Sequence, residues 1–145
     1  MIVYLDTSAL VKRYIAEVSS QEVAALITQA EQVGTSIISR AEVVAALAGA
    51  VRAGALRRDD GGRALTVFRG QWPVLVRLHA TEALVAKADT LAWEHSLRGY
   101  DAVHLACAMS WQEGLAETVT VATFDQDLWL AAGRDGMNVW PETLQ

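Results

Sequence analysis

"VYLDTSAL", residues 3–10, places a short apolar run directly before an acid, two hydroxyl residues and a stretch typical of a helix. A strand that ends at Asp6 and turns at once into a helix is characteristic of α/β proteins. Four short β-branched runs have the composition of strands buried on both faces: "IVYL" (2–5), "TSII" (35–38), "VLVRL" (74–78) and "TVTVAT" (118–123). These runs predict four strands of a central sheet.

Amphipathic segments separate the predicted strands. Val23, Leu26, Ile27 and Ala30 follow the helical spacing i, i+3, i+4, i+7, and a similar series predicts a second core-facing helix: Leu84, Val85, Ala88, Leu91 and Ala92. The segment "RAGALRRDDGG" (52–62) is predicted to join two further helices. Strands that alternate with helices predict a parallel sheet covered on both faces, and such sheets bind ligands beyond the carboxyl ends of their strands.

Composition and charge limit the classes of protein to which this chain can belong. The 145 residues are expected to form one domain, residues 1–145, and the net charge of −5 means that a nucleic-acid partner would require a cation. The single cysteine, Cys107, excludes an internal disulfide and a cysteine-rich metal site. No apolar run approaches the roughly 20 residues that cross a bilayer. We therefore expect a cytoplasmic protein with no membrane partner.

Four acids lie at predicted strand-to-helix or turn-to-helix junctions: Asp6, Glu42, Asp101 and Asp125. Each has a structural explanation, because acids are favoured at helix N-termini. That explanation is strongest for Glu42, because Ser39 with Glu42, like Ser19 with Glu22, matches the S-x-x-E capping box.

The acids point to function only if they converge. Two carboxylates about 4 Å apart repel by about 4 kcal/mol at an effective dielectric near 20, against a total stability of roughly 5–15 kcal/mol. A cluster of them must therefore bind protons or a cation. Oxygen ligands without cysteine or paired histidines suit Mg²⁺ or Mn²⁺ better than Zn²⁺.

Four segments resemble, in order, the acidic motifs of PIN-domain ribonucleases: "LDTSALVKRY" (5–14), "SRAEVVAAL" (39–47), "LRGYDAVHLACA" (97–108) and "VATFDQDLWLAA" (121–132). The likeness is greatest to the VapC-type toxins of toxin–antitoxin modules. It implies a three-layer α/β/α sandwich with a central parallel sheet of four or five strands. It also implies endonucleolytic cleavage of RNA, a divalent metal, a homodimer and a cognate antitoxin.

By position in these motifs, the resemblance assigns catalysis to four acids: Asp6, Glu42, Asp101 and Asp125. Asp6, Asp101 and Asp125 would hold Mg²⁺, with Mn²⁺ as the alternative. Five further side chains are candidates to support them: Thr7, Ser8, Arg98, Thr123 and Asp127. The hydroxyl residues are equally plausible as helix caps, and Arg98 as a surface arginine. The RNA-binding residues are unknown.

Other residues have plainer interpretations. His104, three residues after Asp101, is predicted to be a half-buried helix histidine rather than a general acid. Trp72, Trp93 and Trp111 have spacings typical of a core or a subunit interface. The basic residues are concentrated in one region, which forms either part of an RNA track or a solvated helix pair: Arg52, Arg57, Arg58, Arg63 and Arg69.

Three other functions remain open at this point. The first is an aspartate-based phosphohydrolase or phosphoacceptor with Asp6 as nucleophile, but Ser8 stands where the phosphatase pattern requires a second aspartate, and neither lysine, Lys12 or Lys87, suits a receiver domain. The second is an inactive PIN-like interaction module. The third is a PIN nuclease of RNA processing outside toxin–antitoxin systems.

Overall fold

A five-stranded parallel sheet separates two layers of helices in the computed structural model, which describes residues 1–144. The strands are β1 (Ile2–Leu5), β2 (Gln32–Ser36), β3 (Val76–Leu78), β4 (Val119–Ala122) and β5 (Asn138–Trp140). The α-helices are α1 (Thr7–Leu10), α2 (Ser20–Gln29), α3 (Ser39–Arg52), α4 (Arg58–Gln71), α5 (Glu82–His95), α6 (Gly99–Leu115) and α7 (Gln126–Arg134). Short 3₁₀ turns occupy Val11–Arg13 and Trp72–Val74.

The strand order is β3-β2-β1-β4-β5, with β1 at the centre. From β1 the chain builds one half of the sheet through β2 and β3, then crosses over to build the other half through β4 and β5. Val3 pairs with Val33 on one side of β1 and with Thr120 on the other. The strand order therefore reverses between β1 and β4, and ligands bind at such a reversal in open parallel sheets.

The alternating side chains of β1 contribute to two separate hydrophobic cores. Ile2 and Tyr4 pack against α5, α6 and α7, whereas Val3 and Leu5 pack against α3 and α4. All four side chains are buried. Burial on both faces explains the continuous apolar run at the N-terminus and confirms the predicted α/β/α architecture.

Close contact between a helix and the sheet places α6 over β2. A Cβ at Gly34 would lie 2.7 Å from the ring of Trp111, so only glycine admits the indole at this point. Asp101 and His104 stand near the other end of the same helix. This packing carries both side chains to the carboxyl end of the sheet.

The predicted strands differ from the observed ones mainly at their ends. Strand β2 ends at Ser36, and Ile37 and Ile38 form the turn into α3. Strand β3 starts only at Val76, because Pro73 lies in the preceding 3₁₀ turn. Strand β5 was not predicted, since its three residues are too few to show a period.

Neither predicted capping box forms. Ser19 has a left-handed φ of 71° and its side chain makes no cap hydrogen bond. Ser39 lies inside the first turn of α3, where its Oγ is 2.6 Å from Thr35 Oγ1. The capping explanation for Glu42 is therefore wrong, and its carboxylate is free to bond elsewhere.

The predicted connection over residues 52–62 is shorter than expected. Helix α3 continues to Arg52 and α4 begins at Arg58, so only residues 53–57 lie between the two helices. Across residues 1–144, none of the helices is long and apolar enough to span a membrane.

Candidate active site

A cavity of about 150 Å³ lies at the carboxyl end of β1, where the strand order reverses. Its lining comes from the start of α1, the first turns of α3 and α6, and the turn before α7: Asp6, Thr7, Ser8, Glu42, Arg98, Tyr100, Asp101, His104 and Asp125. All four acids singled out in the sequence line it. The parallel sheet and its helix N-termini thus bring together acids that lie far apart in the chain.

Asp6 is buried at the base of the cavity and caps α1. Its Oδ1 accepts hydrogen bonds from the Ala9 amide (3.0 Å) and the Ser8 hydroxyl (2.7 Å), and its Oδ2 accepts one from the Thr123 hydroxyl (2.6 Å). Burial raises the pKa of Asp6 above its ordinary value, although the neighbouring His104 and these hydrogen bonds counteract part of the effect.

Thr123 also positions Asp125. Its Oγ1 accepts a hydrogen bond from the Asp125 amide (3.0 Å) while its hydroxyl proton goes to Asp6. Asp125 in turn caps α7, because its Oδ1 accepts a hydrogen bond from the Leu128 amide (3.0 Å). Capping and convergence on the cavity are therefore compatible roles for this residue.

Arg98 bridges the two acids at the mouth of the cavity. Its Nε donates to Asp101 Oδ2 (3.1 Å) and its Nη2 donates to Asp125 Oδ2 (2.5 Å), while the guanidinium lies 4.9 Å from the Tyr100 ring centre. Burial and the charge of Asp125 nevertheless raise the pKa of Asp101 to about 6. One guanidinium is thus shared by two carboxylates.

Glu42 reaches the cavity from the first turn of α3. Its Oε1 accepts two hydrogen bonds, from the Thr7 hydroxyl (2.7 Å) and from His104 Nε2 (2.8 Å). Burial acts to raise the pKa of Glu42, but the hydrogen bonds from His104 and Thr7 outweigh it, and the pKa lies below its ordinary value. Glu42 is therefore ionised at neutral pH.

His104 is buried more deeply than predicted, with only 2% of its surface exposed. Its Nδ1 lies 2.7 Å from the hydroxyl of Tyr4, a residue that sequence reasoning did not single out. The ring therefore joins β1 to Glu42 through the interior. The i, i+3 spacing from Asp101 was the one signal in the sequence that placed His104 near the acids.

The remaining predicted residues lie on the surface or in the core. Asp127 is exposed on α7 and does not line the cavity. Trp72 and Trp111 are buried in the core, whereas Trp93 is 88% exposed, so of the two predicted places for it, core or subunit interface, the core is excluded. Trp93 lies two residues after Leu91, on the opposite side of α5 from the core.

The arginine-rich region includes an ordinary surface ion pair, between Arg63 and Asp60 on successive turns of α4. Arg52 and Arg58 line a groove between α3 and α4. An RNA track along these helices stays a hypothesis.

Sequence comparison identifies the family. The profile described as "PIN domain" matches residues 3–133. The chain belongs to the PIN-domain family. Two relatives, Ribonuclease VapC45 and Ribonuclease VapC49 from two strains of Mycobacterium tuberculosis, are each 33% identical over 143 residues, which covers 99% of this PIN-domain chain and 97% of the relative.

Solved structures share the PIN fold. A toxin–antitoxin complex from Klebsiella pneumoniae matches with a TM-score of 0.68 and 19% identity over 99% of both chains. The Mycobacterium tuberculosis toxin VapC20, described as cleaving the sarcin–ricin loop, matches with a TM-score of 0.64 and 19% identity over 89% of this chain and 94% of its own. These likenesses confirm the fold of the PIN domain.

The donor chemistry of the cavity fits a hard divalent cation. Carboxylate and hydroxyl oxygens dominate its lining, and the pKa of Asp101 is raised first by burial and then by the charge of Asp125. Within the described part of the chain, however, no three acidic, histidine or cysteine side chains are already arranged around a metal position. Arg98 holds Asp101 and Asp125 instead, so a bound cation would replace its contacts.

Proposed function

We propose that this PIN-domain protein is an endoribonuclease that hydrolyses RNA phosphodiester bonds as the toxin of a VapBC-type toxin–antitoxin system. The observation that carries the proposal is the meeting of Asp6, Glu42, Asp101 and Asp125 in one small cavity at the reversal of the strand order. The 33% identity to two proteins named as ribonucleases over 99% of the chain supports the reaction class.

Asp6, Asp101 and Asp125 are the residues that would hold Mg²⁺, or Mn²⁺ in its place. When bound, such an ion polarises the scissile phosphate, lowers the pKa of the attacking water and neutralises charge on the leaving oxygen. The net negative charge of the site attracts the cation. The cation then permits an acidic protein, with a net charge of −5, to bind a polyanion.

The protein's own side chains orient the reactants. Glu42, ionised and with one oxygen free of Thr7 and His104, accepts a hydrogen bond from the attacking water and can take its proton. Arg98, whose side chain is 56% exposed, has the planar donor geometry to bind a phosphate once a cation replaces it at the acids. The products would carry 5′-phosphate and 3′-hydroxyl ends.

The partners follow from the same proposal. A cognate antitoxin would bind the protein and inhibit it, since several solved neighbours are described as toxin–antitoxin or VapBC complexes. We also propose a homodimer that acts on cytoplasmic RNA.

The contacts of Asp6 argue against an aspartate-based phosphohydrolase. Both of its oxygens already accept hydrogen bonds, three in all, and one donor is Ser8 at the position where the phosphatase pattern requires an aspartate. With a serine in that place, the site lacks the second aspartate that this pattern requires.

Cleavage mapping tests the function. The purified protein is incubated with total RNA in Mg²⁺ or in EDTA, and new 5′ ends are sequenced. We expect discrete 5′-phosphate ends that require the metal and disappear with Asp101→Asn. The matched control is Asp127→Asn, the same substitution at an exposed residue, which should leave these ends unchanged. Cleavage that persists in Asp101→Asn, or that is insensitive to EDTA, would refute the proposal.

A further inference from the structure

A buried line of hydrogen bonds leads from the central strand to the cavity. Tyr4 of β1 contacts His104 Nδ1 at 2.7 Å, and His104 Nε2 contacts Glu42 Oε1 at 2.8 Å. The three side chains come from β1, α6 and α3, and they are separated by 100 and 62 positions in the sequence. Such a line requires a specific arrangement of protons.

The position of each proton in this line follows from Glu42, the acceptor at the cavity end. The ionised carboxylate of Glu42 can only accept, so His104 Nε2 carries a hydrogen and donates it. In the Nε2–H tautomer Nδ1 is an acceptor, and the Tyr4 hydroxyl donates to it. Burial raises the pKa of Tyr4 well above its ordinary value, so the phenol keeps the proton that it donates.

These contacts leave one oxygen of Glu42 for the cavity. Oε1 is saturated by Thr7 and His104, whereas Oε2 accepts no hydrogen bond from any residue between 1 and 144. Two donors to a single oxygen hold the carboxylate in one rotation and favour its ionised form. The free oxygen therefore has one direction in which to meet water or substrate.

We propose that His104 is a positioning residue, whose Nε2–H, in a tautomer set by Tyr4, aims the free oxygen of Glu42 into the cavity. The inference rests on the proposed function, because the orientation of Glu42 affects cleavage only if Glu42 takes part in the hydrolysis. His104 does not touch the reacting atoms itself. Its role resembles that of the groups that orient ligands in metal sites, whose loss costs about 10–100-fold in activity.

The competing interpretation is a histidine that only fills the core and satisfies its own ring nitrogens. His104 is almost fully buried, so its replacement disturbs packing whichever interpretation holds. A loss of activity or of stability in one variant therefore decides nothing. The variants must separate the donor at Nε2 from the volume of the ring.

Kinetics on a short RNA that spans a mapped cleavage site provide the first test. His104→Leu should lower kcat about 10–100-fold with KM nearly unchanged, whereas His104→Gln, which keeps an N–H donor near the Nε2 position, should retain most of the activity. In a Glu42→Gln background, His104→Leu should cause no further loss, because the two residues act as one unit. His79→Leu, at an exposed histidine, is the matched control.

Nitrogen NMR of the metal-free protein gives a readout that does not depend on cleavage. The chain has three histidines, so the signals of His104 are assigned by their absence in His104→Gln. We expect the Nε2–H tautomer, and we expect Tyr4→Phe to shift the Nδ1 resonance most.

The outcomes separate the two proposals. Wild-type protein that cuts no RNA in Mg²⁺ would overturn the proposed function and the positioning role together. With cleavage established, either an Nδ1–H tautomer or an undiminished effect of His104→Leu in the Glu42→Gln background would overturn the positioning role alone. Equal losses in His104→Gln and His104→Leu would do the same.

Discussion

Neutralising Asp101 should stabilise the metal-free protein, and the gain should depend on pH. The pKa of this carboxyl is raised from 3.8 to about 6, first by burial and then by the charge of Asp125. The folded state therefore binds the proton more tightly than the unfolded state. The stabilising contribution of the protonated carboxyl is complete below about pH 4 and is lost as the pH rises through about 6.

The size of the effect follows from the shift. Raising a pKa from 3.8 to about 6 corresponds to about 3 kcal/mol, since one pKa unit is worth about 1.4 kcal/mol. Solvent reaches Arg98 and screens its pair with Asp101, and asparagine does not reproduce every contact of the acid. We therefore expect Asp101→Asn to raise the free energy of unfolding by about 1–3 kcal/mol near pH 7.5, and by almost nothing near pH 4.

Urea denaturation in EDTA, followed by the fluorescence of the five tryptophans, measures this difference at several pH values. Asp127→Asn, the same change on an exposed part of α7, should show no such pH dependence. Added Mg²⁺ should reverse the order, because it binds and stabilises the wild type more than the variant. An Asp101→Asn protein that is less stable than the wild type near pH 7.5 in EDTA would refute the electrostatic reasoning.

Three further predictions concern other parts of the structure. Tyr4→Phe should lower the free energy of unfolding by about 1–3 kcal/mol, because His104 Nδ1 is left buried without its donor; urea denaturation measures the loss. Arg98→Gln should tighten Mn²⁺ binding measured by calorimetry, because the guanidinium no longer competes for the acids; weaker binding would contradict this explanation. Trp93→Ser should change stability by less than about 0.5 kcal/mol, whereas Trp72→Ala should cost about 3–5 kcal/mol in the same denaturation assay.

Local pattern identified most of the elements correctly. The run at residues 2–5 is apolar at every position, and the structure buries each of them, because side chains of a central parallel strand alternate between two cores. The predictions from sequence pattern failed where the tertiary environment competed with the local signal. Ser39 bonds to Thr35 instead of capping α3, and Trp93 points to solvent although its spacing suits a core.

The sequence indicated the acids of the candidate site, but not that Tyr100 and His104 would line it. Asp6 follows β1 directly and Asp125 follows β4 after two residues, so a parallel sheet was bound to bring them to one edge. The order of residues placed Arg98 close to Asp101, but it did not indicate that Arg98 would also bind Asp125. Nor did it indicate that Glu42 would share one oxygen between Thr7 and His104.

The sequence by itself determined where most strands turn into helices and that four acids stand at those turns, because periodicity and junction chemistry are local properties. Only the tertiary structure decided which side chains meet, and which of them donates the proton in each hydrogen bond. Tyr4 and His104 are 100 positions apart, and a hydrogen bond of 2.7 Å between them depends on how β1 and α6 pack to within a fraction of an ångström.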